Sequence, residues 1–230
     1  GTAVNGNKLV STDMVRTVWE RYWVEKEPAH AERMMDVFEA WLADRTVENN
    51  TQIALAKDLA RAVEGGESHY HPTGTALAFN STLCLEAQRI LAETKQPDIL
   101  FHLSYNPNLD RSLIPGLMDW AFDRIADDDQ GKEGGVNVLE HLLSKQVLTD
   151  EQQIRIARDG TFELRRHMAW PWLRDDRSVP LCGEAREILA RDRSPRIRDL
   201  MGKFWNDDGY PLDPNGDDMT DEMYLRWLRD

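Results

Sequence analysis

The residues of this 230-residue chain best suited to chemistry lie in one short stretch, EGGESHYHPTGT, where His69 and His71 flank Tyr70. A His-x-His pair supplies two imidazole ligands, and a catalytic zinc needs a third from another segment. His102 and His141, each in a separate helical pattern, are the candidates. No HExxH or Glu-x-x-His spacing supports such a site. A second set is DPNGDDMTDEMY, where Asp213, Asn215, Asp217 and Asp221 hold the first, third, fifth and ninth places of a calcium loop. Its sixth place is Asp218 instead of glycine, and its twelfth is Tyr224 instead of a bidentate glutamate, so the shell is incomplete. The stretch reads as an acidic turn before a last helix over 220–228. Glu163 and His167 stand four apart, a spacing that suits an exposed helical pair. Cys84 and Cys182 have no local histidine, and Gly65-Gly66 and Gly134-Gly135 lack a phosphate-cradle context and read as loop residues. The expectation is therefore no catalytic residue, no metal and no cofactor.

Charge narrows the partner class. The net charge is −13, with 24 acidic and 14 basic residues over 1–150 and eight against two over 206–230. An acidic chain repels phosphate backbones, so nucleic acid is a poor partner and a basic or mixed-charge protein a better one. Residues 151–200 are balanced, with 11 basic and nine acidic side chains, the basic ones all arginine. Arginine favours planar, bidentate pairing, either with a bound partner or with aspartates of a neighbouring unit. No apolar run approaches the roughly 18 residues of a membrane span, and two cysteines are too few for a disulfide framework. These features suggest a cytoplasmic protein.

The elements that must position these side chains are helices. STDMVRTVWERYW and ERMMDVFEAWLA each carry one apolar stripe at helical spacing, and six further segments follow the same style. Breaks rich in Gly, Pro, Asn and Asp separate them, including EGGESHYHPTGT, NPNLDRS, DDDQGKEGG and AWPWLRDDRSVP. Pro97, Pro107, Pro115, Pro171, Pro180 and Pro195 each mark a turn or a first helical position. Strand-like alternation is absent, so the class is all-α.

Two stretches echo each other: IARDGTFELRRHM (156–168) and LARDRSPRIRDLM (189–201) share five of 13 positions, 33 residues apart. A Leu/Ile-Ala pair recurs at 59–60, 91–92, 125–126, 156–157 and 189–190, in steps of 31–34 residues, although Leu42-Ala43, Leu55-Ala56 and Leu77-Ala78 break the rhythm. Asp110-Arg111-Ser112 and Asp176-Arg177-Ser178 lie two periods apart. A fixed period of this size is the mark of a helical repeat array.

Leu189-Ala190-Arg191-Asp192, Ser194-Pro195 and Ile197-Arg198 resemble the units of leucine-rich repeat variants and the wider HEAT-like α-solenoids, as does the Asn106-Pro107 step. The iron–sulfur cysteines of some such proteins are missing. The resemblance, centred on residues 86–205, implies a right-handed α-solenoid of short helix pairs. One domain over 1–230 is expected, with an N-terminal helical cap over 1–50, repeats of about 33 residues over 51–205 and the acidic turn and helix over 206–230. In such units the arginine after the turn reaches an aspartate of the neighbouring unit.

The function expected is a non-catalytic protein–protein interaction module of the bacterial regulatory-scaffold or toxin-neutralising type. Arg165, Arg166, Trp170, Trp172 and Arg198 are its candidate binding residues. The same residues are the raw material for the first alternative, a HEAT-like DNA-binding or glycosylase-type enzyme. The second alternative is a metal-dependent hydrolase on His69 and His71.

Overall fold

A computed structural model describes residues 47–65, 71–127, 129–145, 148–170 and 180–205. The expected N-terminal cap, up to residue 46, and the acidic turn and helix over 206–230 lie outside them. Every regular element among the described residues is a helix, as the sequence pattern requires. None is long and apolar enough to cross a membrane.

The chain divides into two compact units, residues 1–146 and 147–230. In the first, α1 (Asn49–Glu64) and α2 (His71–Phe79) are followed by α3 (Leu85–Glu93) and α4 (Pro97–Tyr105). A 3-10 turn, Arg111–Leu113, then leads into α5 (Ile114–Asp127), and α6 (Asp129–Lys145) completes the unit. The second contains α7 (Asp150–Asp159), α8 (Phe162–Ala169), α9 (Gly183–Ala190) and α10 (Pro195–Phe204). Odd helices pack on odd and even on even: α1 on α3, α2 on α4 and α4 on α6 in the first unit, α7 on α9 and α8 on α10 in the second. Each odd helix also packs on the even helix that follows it. This is a stack of helix pairs within each unit.

Local chemistry sets the boundaries. Pro97 and Pro195 open α4 and α10, where a missing N–H costs nothing. Thr149 and Gln152 form a reciprocal capping box at α7, and the Thr161 hydroxyl caps α8. A buried aliphatic residue precedes the N-cap at five junctions: Val47, Leu83, Leu109, Leu148 and Leu181. With Leu59, Leu91, Leu103, Leu139, Ile156 and Leu189 they form the cores, each such side chain contributing about 1.5–3 kcal/mol by burial.

One expected break is a helix. DDDQGKEGG, read as a loop, lies mostly within α6, and Gly134 and Gly135 are helical. A Cβ on Gly135 would stand 2.5 Å from the Ala121 carbonyl oxygen of α5. The glycine is there because two helix backbones approach too closely for any side chain. Gly74 plays the same part between α2 and α4, where a Cβ would meet Ile99 Cδ1 at 2.7 Å.

Candidate functional site

What binds one helix pair to the next is a side chain at one fixed place, the fourth residue after the N-cap. In α1 this is Gln52, fully buried. Its Nε2 donates back to the Val47 carbonyl (2.8 Å) and across to the Thr82 carbonyl (3.0 Å), and its Oε1 accepts from the Cys84 amide (2.6 Å). Gln88 of α3 repeats the pattern: it donates to the Leu83 and Asn108 carbonyls (both 2.9 Å) and accepts from the Asp110 amide (2.8 Å). Gln153 of α7 donates to the Leu148 carbonyl (3.2 Å) and accepts from the Cys182 amide (2.9 Å). A primary amide suits this place because it offers donor and acceptor at once to backbone groups that burial has cut off from water.

The junction loops carry matching devices. Asn106 donates to the Ala78 carbonyl (2.7 Å) and the Asn80 carbonyl (2.9 Å), tying the end of α4 to the end of α2. Asn80 and Asn106 each also turn the chain by accepting from the amide two residues on, Thr82 and Asn108. The Asp110 carboxyl accepts from the Ser112 hydroxyl and amide, which holds it below its usual pKa. Cys84 and Cys182 are both free thiols at N-caps, and each contacts the first-turn carbonyl of the preceding odd helix, Asn49 at 4.0 Å and Asp150 at 3.8 Å. They are equivalent positions of one repeating junction.

These clamps place the repeat differently from the Leu-Ala rhythm. Three residues after the clamp position stand Leu55-Ala56, Leu91-Ala92, Leu117-Met118, Ile156-Ala157 and Leu189-Ala190. Leu55-Ala56, which the even spacing left out of phase, is the equivalent pair. Leu59-Ala60 lies one turn further along α1, and Ile125-Ala126 two turns further along α5. Unequal helix lengths therefore make the true steps unequal.

Of the five candidate binding residues, two are internal. Arg165, the fourth residue after the N-cap of α8, is 5% exposed. Its Nε donates to Asp192 Oδ2 at 2.6 Å and its Nη1 to the Gly160 carbonyl. It bridges α8 to the loop before α10 as the glutamines bridge the odd helices, and so is the inter-unit arginine expected from the echo. Trp170 is 7% exposed and packs on Phe204, while the Trp205 indole donates to the Ala169 carbonyl at 2.7 Å. Both were expected to face a partner, and burial withdraws them from one. Arg166 is half-buried, and its Nε is enclosed without a hydrogen-bond partner. Trp172 lies outside the described residues.

Arg198 is the exposed member of the set, with Nη1 donating to the Asp192 carbonyl. It lines a groove of about 530 Å3 with Gly183, Arg186, Glu187 and Ala190 of α9, and Met201, Gly202 and Trp205 on the α10 side. Each set runs at i, i+3, i+4 and i+7, so the groove lies between two facing helix stripes.

A second exposed feature was not expected. Phe79 (42% exposed) and Tyr105 (36%) are the exposed large hydrophobic side chains among the described residues, and they stack at 5.8 Å between ring centroids. They end α2 and α4. Behind them Phe101, His102 and His141 close an aromatic cluster: Phe101 lies 4.4 Å from His141 and 5.1 Å from His102, and Tyr105 lies 4.9 Å from His141. Lys145 Nζ sits 4.8 Å over the Tyr105 ring. Burial holds His141 below the usual histidine pKa, against a hydrogen bond to the Phe101 backbone and the nearby Glu140 carboxylate. His102 and His141 thus come together around a phenylalanine. His69, and the side chain of His71, lie outside what is described, and no group of three metal-binding side chains occurs among the described residues. The sequence signal for this cluster was an aromatic two residues before each Ser/Pro of the turns FNST and YNPN, a spacing shared by Phe79 and Tyr105.

Comparison with family models, with curated proteins and with solved structures finds no match.

Proposed function

We propose that this chain is a non-catalytic, HEAT-like α-solenoid that serves as a protein–protein interaction module and works in the cytoplasm. The observation that carries the reading is the stacked pair Phe79 and Tyr105, left open at the ends of two adjacent helices whose other large apolar side chains are drawn inward. Exposed aromatic pairs offer large contact area at little entropic cost and anchor protein interfaces. The chain's net charge of −13 favours a basic or mixed-charge partner at long range, and the stack supplies the short-range anchor. The polar side chains at the helix junctions are engaged in holding backbone groups, as a scaffold requires.

The test is capture from the source lysate, identification of the partner, and titration of that purified partner with wild type and a Phe79→Ala/Tyr105→Ala variant. Binding should weaken at least about tenfold in a variant that keeps its helical content. Equal affinity of variant and wild type would overturn the placement of the site, and a chain that captures no partner would overturn the function.

A further inference from the structure

The groove at α9 and α10 is a copy of a surface that is covered one step earlier in the chain. Residues equivalent to Arg186, Ala190, Arg198 and Met201 on the preceding pair are Gln153, Ala157, Arg165 and Met168, by their distance from the N-caps. Those four are 4%, 1%, 5% and 0% exposed, buried where α9 and α10 pack on α7 and α8. At the groove Ala190 and Arg198 are exposed to solvent, as are Glu187 and Gly202.

The chain also carries a segment that fits. LTDEQQIRIARD (148–159) contains the N-cap and the whole of α7, and MTDEMYLRWLRD (219–230) matches it at six of 12 positions. The match preserves the N-cap threonine, both arginines and the closing aspartate, with Met219 at the place of the buried Leu148. Tyr224, Trp227 and Leu228 take the places of the buried Gln153, Ile156 and Ala157. Asp230 stands ten residues after Thr220, as Asp192 stands ten after Cys182, the N-cap of α9. Charge agrees: residues 206–230 carry eight acidic and two basic side chains, and the groove presents two arginines and one glutamate.

We propose that residues 219–230 form the first helix of a further pair and seat in this groove, with Asp230 taking the Arg198 guanidinium as Asp192 takes that of Arg165. Arg186, at the clamp position, has donors and no acceptor, so it bonds carbonyls or carboxylates of the acidic 206–218 link in place of an amide. The groove is then an intramolecular junction, and a partner protein is left with the aromatic stack of the first unit.

Amide hydrogen exchange on the full chain tests this. Amides of 222–230 should exchange about 100-fold more slowly than in a free peptide. Arg198→Asp or Asp230→Arg should lower that protection about tenfold, and the double exchange R198D/D230R should restore it to within about threefold of wild type. Free-peptide rates in the wild type, or no restoration in the double variant, would overturn the proposal. Cross-linking is independent of the single variants' stability. In a Cys84→Ser/Cys182→Ser background, a short bismaleimide should join Arg198→Cys to Asp230→Cys and fail to join Lys203→Cys to Asp230→Cys. No product from the first pair, or equal product from both, would contradict it.

Discussion

The two units solve one problem with different chemistry. Every junction must satisfy backbone groups at a helix start and also hold the following pair. The first unit does this with neutral amides, Gln52, Gln88 and Asn106. The second keeps one glutamine, Gln153, and adds a buried ion pair between Arg165 and Asp192, whose side chains are 6% and 4% exposed. An amide can serve donor and acceptor with no net charge to desolvate. An ion pair must recover a desolvation cost of several kcal/mol per ion through geometry, and it does so only while both partners are present. The first unit should therefore tolerate loss of a clamp in graded fashion, and the second should fail sharply.

The largest effect is expected at the ion pair. Asp192→Ala leaves a buried guanidinium unpaired and should cost about 3–5 kcal/mol by denaturant titration, whereas Arg165→Met with Asp192→Leu should recover most of it. Equal damage from the single and the double change would remove the contrast between the units. Next is Gln88→Leu, which strands two carbonyls and an amide in the first unit and should cost about 2–4 kcal/mol. Gln153→Leu, with two backbone partners, should cost about 1–3 kcal/mol.

A pH effect should separate the units further. His141 of the first unit has a folded pKa below its ordinary 6.5, so the unfolded chain binds more protons between the two values. Its contribution is complete above about 6.5 and is lost as pH falls through the folded value, so stability rises with pH across that window. His141→Phe should flatten this dependence, which an unfolding series between pH 4 and 8 would show. The smallest effect belongs to Arg158 and Glu184, paired at 3.0 Å but each 59% exposed. Removing both should change stability by less than about 0.5 kcal/mol.

Much of this was legible in the sequence, and the failures have physical causes. Apolar stripes and proline positions gave the helices of the described residues, because a 3.6-residue period and a missing N–H leave direct marks. The Ala-Arg-Asp echo led to the Arg165–Asp192 bridge, since two charges repeated at one interval have few other uses. The glutamines were missed because an amide side chain reads as surface polarity until its five-residue offset from a buried aliphatic is noticed. Val47/Gln52, Leu83/Gln88 and Leu148/Gln153 all share that offset. Gly134-Gly135 was read as a loop because composition does not report how closely α5 and α6 approach. Arg165 and Trp170 were assigned to a partner because residue type alone cannot distinguish an outer face from a junction.

The central claim is that one side chain four residues after each N-cap holds the amide that starts the next odd helix. Residue-resolved amide exchange by NMR in Gln88→Leu tests it directly. The Asp110 amide should lose protection far beyond any global change, while the Cys84 and Cys182 amides, held by Gln52 and Gln153, keep theirs. An Asp110 amide as protected as in the wild type, or a uniform loss at all three, would contradict it.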